Sequence, residues 1–248
     1  MKLFHTANLH FRREALLYLF DRAEEESAIL TIAGNLLDGH RDADLDSEGE
    51  IRLPTQAAWT IEQFARIRTP TFPVPGEHDI WLPNGPEDIG HSGQWLQRVR
   101  RAGMVYGAGD REKVCGFNFV CVPWDDFDEL GASNDDGVPS VVISAVPPAG
   151  TPISQEAGAD VGSHEFARAL GSFRPGSLFL TGTVHGGLGY QWWADLGHNS
   201  HAFSPGYSFD SLIPNFIEID TNTGFASYMV RGKAIDRMRF APAQTVGH

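Results

Sequence analysis

Four short motifs follow apolar runs of the chain and carry histidine, carboxylate and amide side chains. In chain order they are Asn8-Leu9-His10, Gly34-Asn35-Leu36-Leu37-Asp38, Gly76-Glu77-His78-Asp79 and Gly182-Thr183-Val184-His185. Imidazole nitrogens and carboxylate oxygens are the ligands that divalent metal ions take in hydrolytic sites. Three of the motifs open with glycine, which lets a backbone turn close to a site. The motifs therefore predict one crevice, lined by four loops, that binds an ion or an anionic ligand.

The runs before these motifs predict the strands that bring the loops together. The first third of the chain alternates short apolar runs with amphipathic stretches, which is typical of βαβ units in a layered α/β fold. Strands are predicted at residues 3–6, 28–33 and 71–74, and helices at 11–26 and 55–67. Because open α/β sheets bind ligands at the carboxyl ends of their strands, we expect the motif residues to converge there.

The rest of the chain is richer in predicted strands. Short apolar runs bounded by Gly, Pro, Asn or Asp lie at residues 104–106, 114–122, 138–145, 177–181, 216–220 and 225–230, and one helix is predicted at 163–170. We find no internal repeat and no low-complexity linker. A length of 248 residues suits one α/β domain with a sizeable core. The sequence thus predicts a single domain over residues 1–248.

The order and spacing of the motifs resemble the calcineurin-like metallophosphoesterase family. Its signature reads Asp-x-His, Gly-Asp-x-x-Asp, Gly-Asn-His-Asp/Glu, a lone His, and Gly-His-x-His. The resemblance extends over roughly residues 2–230. It implies an α/β fold in which a two-sheet β-sandwich is flanked by helices, in the layer order αββα. Within the superfamily, Leu3–His10 and Asp38–Arg41 look most like the nuclease subunit of DNA double-strand-break repair exonucleases, and cyclic-nucleotide and small-phosphodiester hydrolases stay equally open as relatives.

The resemblance also implies where metal ligands would lie, and most of those positions are changed. The implied positions are Asn8, His10, Asn35, Glu77, Ala145, Thr183 and His185, and Asn35 stands where the family has the aspartate that bridges both ions. His10 and His185 match the family, and the other five depart from it. A neutral amide cannot bridge two cations as a carboxylate does, and methyl or hydroxyl groups cannot replace imidazoles. We therefore expect no two-metal centre.

Two functions stay open on this interpretation. The first is a catalytically inactive or strongly impaired relative of the phosphoesterases, a pseudoenzyme that acts in binding or regulation. The alternative is a metal-dependent phosphodiesterase or DNA exonuclease-like hydrolase that uses a single remaining metal site. That site would hold one weakly bound divalent ion, Mn, Zn or Fe, at His10 and His185 with Glu77 beside it.

Further site residues are implied by the same motifs and by aromatic residues that follow them. His78 matches the family histidine that assists the leaving group or the phosphate, and Asp79 matches the carboxylate that orients it. In this chain both are interpreted as vestigial catalytic residues, and the alternative is a hydrogen bond within the loop. Tyr190, Trp192 and Trp193 could stack a base or anchor a partner, with packing between sheets as the alternative.

Composition limits the partners. A net charge of −13 opposes general attraction to nucleic acid, so DNA is not favoured, and we expect a protein partner or a nucleotide or other phosphoester ligand. No apolar run approaches the ~20 residues of a membrane span, and no signal peptide is evident, which predicts a cytoplasmic protein without a membrane partner. Residues 114–122 could form one strand or a tight hairpin, and Cys115 and Cys121 within them are predicted to be free core thiols.

Overall fold

Two six-stranded sheets form the framework of the protein. The computed structural model describes residues 1–38, 53–80, 94–101, 103–122, 127, 130, 137–182, 184, 191–207 and 211–240. The strands are β1 (Lys2–Ala7), β2 (Ile29–Ala33), β3 (Thr71–Val74), β4 (Arg111–Val114), β5 (Phe117–Cys121), β6 (Ser140–Ser144), β7 (Gln155–Glu156), β8 (Ala159–Asp160), β9 (Leu178–Thr181), β10 (Trp193–Asp195), β11 (His201–Phe203), β12 (Phe216–Asp220), β13 (Phe225–Val230) and β14 (Lys233–Arg239). The helices are α1 (Arg13–Glu25), α2 (Leu53–Phe64), α3 (Glu77–Ile80), α4 (Gln94–Gln97) and α5 (His164–Ala169), with 3-10 turns at Pro152–Ser154 and Leu170–Ser172.

The first sheet has the strand order β14-β13-β12-β1-β2-β3. Strands β1, β2 and β3 run parallel, whereas β12 pairs antiparallel with β1. The carboxyl ends of the three parallel strands, at Ala7, Ala33 and Val74, therefore meet at one edge. The first and second motifs begin directly after Ala7 and Ala33, and the third begins two residues after Val74.

The second sheet has the strand order β10-β11-β9-β6-β5-β4. Its four central strands run parallel, and hairpin pairings add β4 and β10 at the two edges. The carboxyl ends of β6 and β9, at Ser144 and Thr181, are direct neighbours in register. Ala145 and Gly182 follow these two strands, so the fourth motif starts beside Ala145.

Apolar side chains fill three layers. One layer lies between the sheets and combines residues of the first sheet, such as Leu3 and Phe72, with residues of the second, such as Phe119 and Leu180. A second layer packs α1, α2 and α4 against the outer face of the first sheet. A third packs α5 on the outer face of the second sheet through Phe166. The predicted α/β arrangement of two sheets is confirmed.

Helix α1 shows why these elements pack as they do. Its buried residues Leu16, Leu19, Phe20 and Ala23 recur at the three- and four-residue spacing of one helical face, and they cover β1 and β2. Burial of one such large apolar side chain contributes about 1.5–3 kcal/mol. The face opposite carries the acidic and basic residues.

Several local predictions need correction. Residues 104–106 form no named strand: Val105 makes only isolated bridges to Thr71 and Arg101. Of the two alternatives for residues 114–122, the hairpin is confirmed: β4 and β5 pair antiparallel, and Cys115 lies in the turn between them with a φ of 52°. Cys115 is therefore an exposed free thiol, whereas Cys121 is the buried one.

None of the described helices is long and apolar enough to cross a membrane.

Candidate functional site

The loops after β1 and β2 lie side by side and are joined through their backbones. The amide of Asn8 donates to the carbonyl of Gly34 at 3.2 Å, and the amide of His10 donates to the carbonyl of Asn35 at 2.8 Å. A third bond, from Phe11 to Leu36, continues the pairing at 2.8 Å. These bonds fix the first motif against the second beyond the ends of their strands.

The same loops hold unusual backbone angles. Asn8, His10, Phe11 and Asn35 have φ values of 53°, 45°, 51° and 43°. Asparagine visits this left-handed region readily, but histidine and phenylalanine do so at a cost of about 1–2 kcal/mol each. Such conformations persist where surrounding contacts impose them, and the loop pairing supplies those contacts. The loop backbone therefore adopts angles of higher local energy, which the pairing between the loops maintains.

The Asp79 carboxylate ties the third motif to the second. Its Oδ1 accepts the Leu37 amide at 2.8 Å, and its Oδ2 accepts the amides of Leu36 at 3.0 Å and Gly76 at 2.9 Å. Burial raises the pKa of Asp79 to about 6, and the three amide bonds act in the opposite direction. The Trp95 indole donates a hydrogen bond to the backbone carbonyl of Asp79 at 3.0 Å. The described bonds of this carboxylate thus organise the loop backbone.

The Asn35 amide has a similar role within the loops. Its Oδ1 accepts the backbone amide of His78 at 3.2 Å. Gly76 lies directly against it, since a Cβ on that glycine would come within 2.2 Å of the same oxygen. Asn35 is 1% exposed. The side chain at the implied bridging-ligand position therefore helps to fix the position of His78.

Three donor side chains converge at these loops: His10, Asp38 and His78. One ligand atom from each lies within 4.8 Å of the others. The two imidazole rings meet edge to face, with centroids 4.9 Å apart and planes at 77°. Asp38, the last residue of the second motif, is not among the ligand positions that the sequence analysis singled out. Its place at the end of a motif was the available signal.

The first and second sheets also approach each other at the site. A Cβ on Gly34 would lie 3.2 Å from the Ala145 methyl, and the Gly182 amide donates to the Ala145 carbonyl at 3.2 Å.

Glu77 is half exposed, and its Oε1 lies 3.6 Å from Nε2 of His78. The structure thus brings together Asn8, His10, Asn35, Glu77, His78, Asp79 and Ala145. Thr183 and His185 lie outside the described residues.

Two further residues border the site. The Tyr207 ring meets the His10 ring edge to face, with centroids 5.0 Å apart. The Arg12 guanidinium lies 5.7 Å from the centroid of the Tyr207 ring. Arg12 therefore supplies a positive charge next to His10. The sequence patterns did not single out Arg12, because it falls outside the four motifs.

The predicted stacking residues divide into three cases. Trp192 is 4% exposed and packs between the sheets, stacked on Tyr228 with centroids 5.6 Å apart. Its indole donates to Oδ2 of Asp236 at 2.9 Å. Trp192 therefore packs between the sheets, which is the alternative given for these aromatic residues. Trp193 is partly buried and contacts His201. Tyr190 lies outside the described residues.

Comparisons with known proteins found solved structures of similar fold, and they found no matching family. No protein-family model matches the chain, and no curated protein matches it. Among solved structures 18 chains match. One crystal structure is 16% identical in sequence and gives a TM-score of 0.53, with 97% of this chain and 99% of the other chain covered. At that identity, the similarity shows a shared fold alone.

Proposed function

We propose that the chain is a single-domain protein of the calcineurin-like metallophosphoesterase fold that binds a phosphoester ligand without two-metal hydrolysis. The observation that carries this proposal is the pair of buried amides, Asn8 and Asn35, at the positions of two metal-binding carboxylates. The arrangement of two sheets with outer helices, and the meeting of the motifs at strand ends, support the fold assignment.

The side chains at the implied ligand positions do not suit two divalent ions. A dinuclear centre brings four positive charges about 3.5–4 Å apart, which carboxylates must offset. Asn8 and Asn35 are neutral, and Asn35 accepts a backbone amide instead. Ala145 contributes a methyl group. Hydrolysis through an activated water held between two ions is therefore not supported by these residues.

Three of the remaining polar groups can donate hydrogen bonds to an anionic ligand, although the carboxylates of Asp38 and Glu77 add negative charge beside them. His10 and His78 lie together at the loops, and Arg12 adds a cationic group beside Tyr207. Guanidinium and imidazole groups donate hydrogen bonds to phosphate oxygens. A nucleotide or another small phosphoester matches this chemistry, and it avoids the long-range repulsion that an acidic chain exerts on DNA.

Binding is tested with AMP and inorganic phosphate as probes in titration calorimetry. We expect Arg12→Gln to weaken binding of AMP about tenfold, the value of one lost charged hydrogen bond. Arg68→Gln is the matched control, because Arg68 is exposed and precedes β3, whereas the site follows the strand. Equal affinities for the native chain and Arg12→Gln, or no binding of either probe, would contradict the proposal.

Hydrolysis is tested with manganese and two substrates, a chromogenic phosphodiester and linear duplex DNA. We expect no cleavage by the native chain above the metal-only background. A variant with Asn8→Asp and Asn35→Asp should bind metal more tightly without full turnover. Adding Glu77→Asn, Ala145→His and Thr183→His completes the family ligand set and provides the positive comparison. Robust cleavage by the native chain that His10→Ala abolishes would overturn the proposal.

The second candidate is a phosphodiesterase with one metal ion. The grouping of His10, Asp38 and His78 favours it, because two imidazoles and a carboxylate can hold a single ion with an open position. The same cleavage assay decides between the candidates, since this one requires metal-dependent turnover by the native chain.

A further inference from the structure

We propose that His10, Asp38 and His78 bind one transition metal ion of the zinc type, at a ligand set different from the one implied by the family resemblance. Only His10 is common to both sets. The site needs neither Asn8 nor Asn35 nor the second-sheet positions Ala145, Thr183 and His185. It is formed within the loops that follow the first three strands.

The geometry of the three donors suits such an ion. In a tetrahedral zinc site, bonds of ~2.1 Å place ligand atoms ~3.4 Å apart. The three side chains already bring one ligand atom each within 4.8 Å of the others. Closure then needs shifts on the order of 1 Å, which small changes of side-chain torsion supply. Two nitrogens and one carboxylate oxygen leave a fourth position for water or a ligand.

The backbone around these donors is fixed before any ion binds. The amide of Asp38 donates to Oε1 of Gln56 at 3.0 Å, and the amide of His78 donates to Oδ1 of Asn35 at 3.2 Å. The amide of His10 is held by the Asn35 carbonyl. Three donors on fixed backbones lose little conformational freedom on binding, which favours affinity.

The local charge suits one ion rather than two. Asp38 brings one negative charge to the site, and Glu77 brings a second at 3.6 Å from Nε2 of His78. With the positive charge of Arg12 beside His10, these two carboxylates can offset one divalent cation at most.

The metal site shares His10 and His78 with the proposed phosphoester site, but it does not require that the chain binds or hydrolyses a phosphoester. A bound ion would organise the loops or contact a phosphoester whether or not the chain hydrolyses it. Metal binding without turnover leaves both proposals standing. Turnover with metal at these three ligands removes the binding-only function and retains the site.

The test uses the full chain, stripped with a chelator, and titrates it with Zn²⁺ and Co²⁺. We expect one equivalent of Zn²⁺ by equilibrium dialysis and a Co²⁺ visible spectrum of tetrahedral intensity. Asp38→Asn and His78→Gln should each weaken binding at least tenfold. His164→Gln is the matched control, because His164 is an exposed histidine on α5, and it should leave binding unchanged. Thermal unfolding of each metal-free variant checks that the fold is retained.

Two results would overturn the site. One is a native chain that binds Zn²⁺ no more tightly than the combined variant with Asp38→Asn and His78→Gln. The other is loss of binding in His185→Gln with no effect of Asp38→Asn, which would return the ion to the family ligand set. Asp38→Asn keeps the side-chain size and the backbone hydrogen bond to Gln56. Loss of metal binding in this variant therefore reports the loss of a ligand and not the loss of the fold.

Discussion

The imidazole of His5 donates a hydrogen bond from Nε2 to the carbonyl of Thr181, over 2.9 Å. His5 lies on β1 of the first sheet and Thr181 ends β9 of the second, so the bond joins the two sheets through the interior. Because a carbonyl oxygen can only accept, the proton is on Nε2 in the neutral ring. Nδ1 lies 3.0 Å from Oγ1 of Thr31 on β2. One fully buried histidine thus links three strands.

Acid should destabilise the protein through His5. Burial lowers the pKa of His5 to about 4, although its two hydrogen bonds act in the other direction. Between pH 6.5 and 4 the unfolded chain takes up a proton at this residue that the folded chain excludes, so stability falls as pH falls. The shift corresponds to about 3 kcal/mol. Urea unfolding of the native chain and His5→Gln at pH 7, 5.5 and 4.5 measures this loss of stability.

The comparison between the two chains isolates His5 from the other titrating groups. At pH 7, His5→Gln should be less stable by about 1–3 kcal/mol, because a buried hydrogen-bond network is lost. That deficit should shrink as the pH approaches 4, since only the native chain carries the penalty for protonation. His164→Gln, at an exposed position, should follow the native curve. A deficit that stays constant with pH would contradict the assignment.

Particular residues show how far sequence could predict this fold and site. The runs before Asn8, Asn35 and Gly76 are short, apolar and bounded by turn residues, so their strands and the meeting of the loops were predictable. Strand β14 was missed because it buries only Met238 and carries no apolar run; its pairing with β13 decides its structure. Asp38 was passed over because its neighbours in space come from distant parts of the chain.

Replacement of the Asp79 carboxylate should loosen the site loops. In Asp79→Asn one oxygen is exchanged for an amide nitrogen, which cannot accept the backbone bonds of Leu36, Leu37 and Gly76 together. At least one buried amide then lacks an acceptor, and we expect a loss of about 2 kcal/mol. Urea unfolding measures it, with Asp21→Asn on the exposed face of α1 as the control. Equal losses in both variants would contradict the structural role of Asp79.

A methyl group at Gly182 should disrupt the contact between the two sheets at the site. A Cβ there would lie 2.1 Å from the carbonyl oxygen of Ala33 and 3.0 Å from the Ala7 methyl. Backbone oxygen cannot rotate away, so the strand ends must separate, and Gly182→Ala should cost at least ~2 kcal/mol in urea unfolding. Gly171→Ala is the control, because nothing lies within 4 Å of its added Cβ. It should be neutral or stabilising by up to about 1 kcal/mol.

Restoring carboxylates at the two buried amides should make stability depend on metal. In the variant with Asn8→Asp and Asn35→Asp, two charges enter positions that are 0% and 1% exposed. Without metal we expect a loss of several kcal/mol in urea unfolding, since a buried charge needs a partner. Manganese at a hundredfold excess over its Kd should return about 2.7 kcal/mol to the variant by mass action.

The native chain should respond to manganese less than the double variant does. Asn35 accepts the His78 amide as a neutral group, so the native chain gains no comparable stability from filling the bridging position. Manganese should therefore raise the stability of the native chain less than that of the double variant, measured at the same concentration. A variant with Asn118→Asp, where another buried amide lies on β5 away from the site loops, controls for charge burial alone. It should lose stability on burial of charge, and manganese should not restore it. An equal manganese effect on all three chains would refute the role assigned to Asn8 and Asn35.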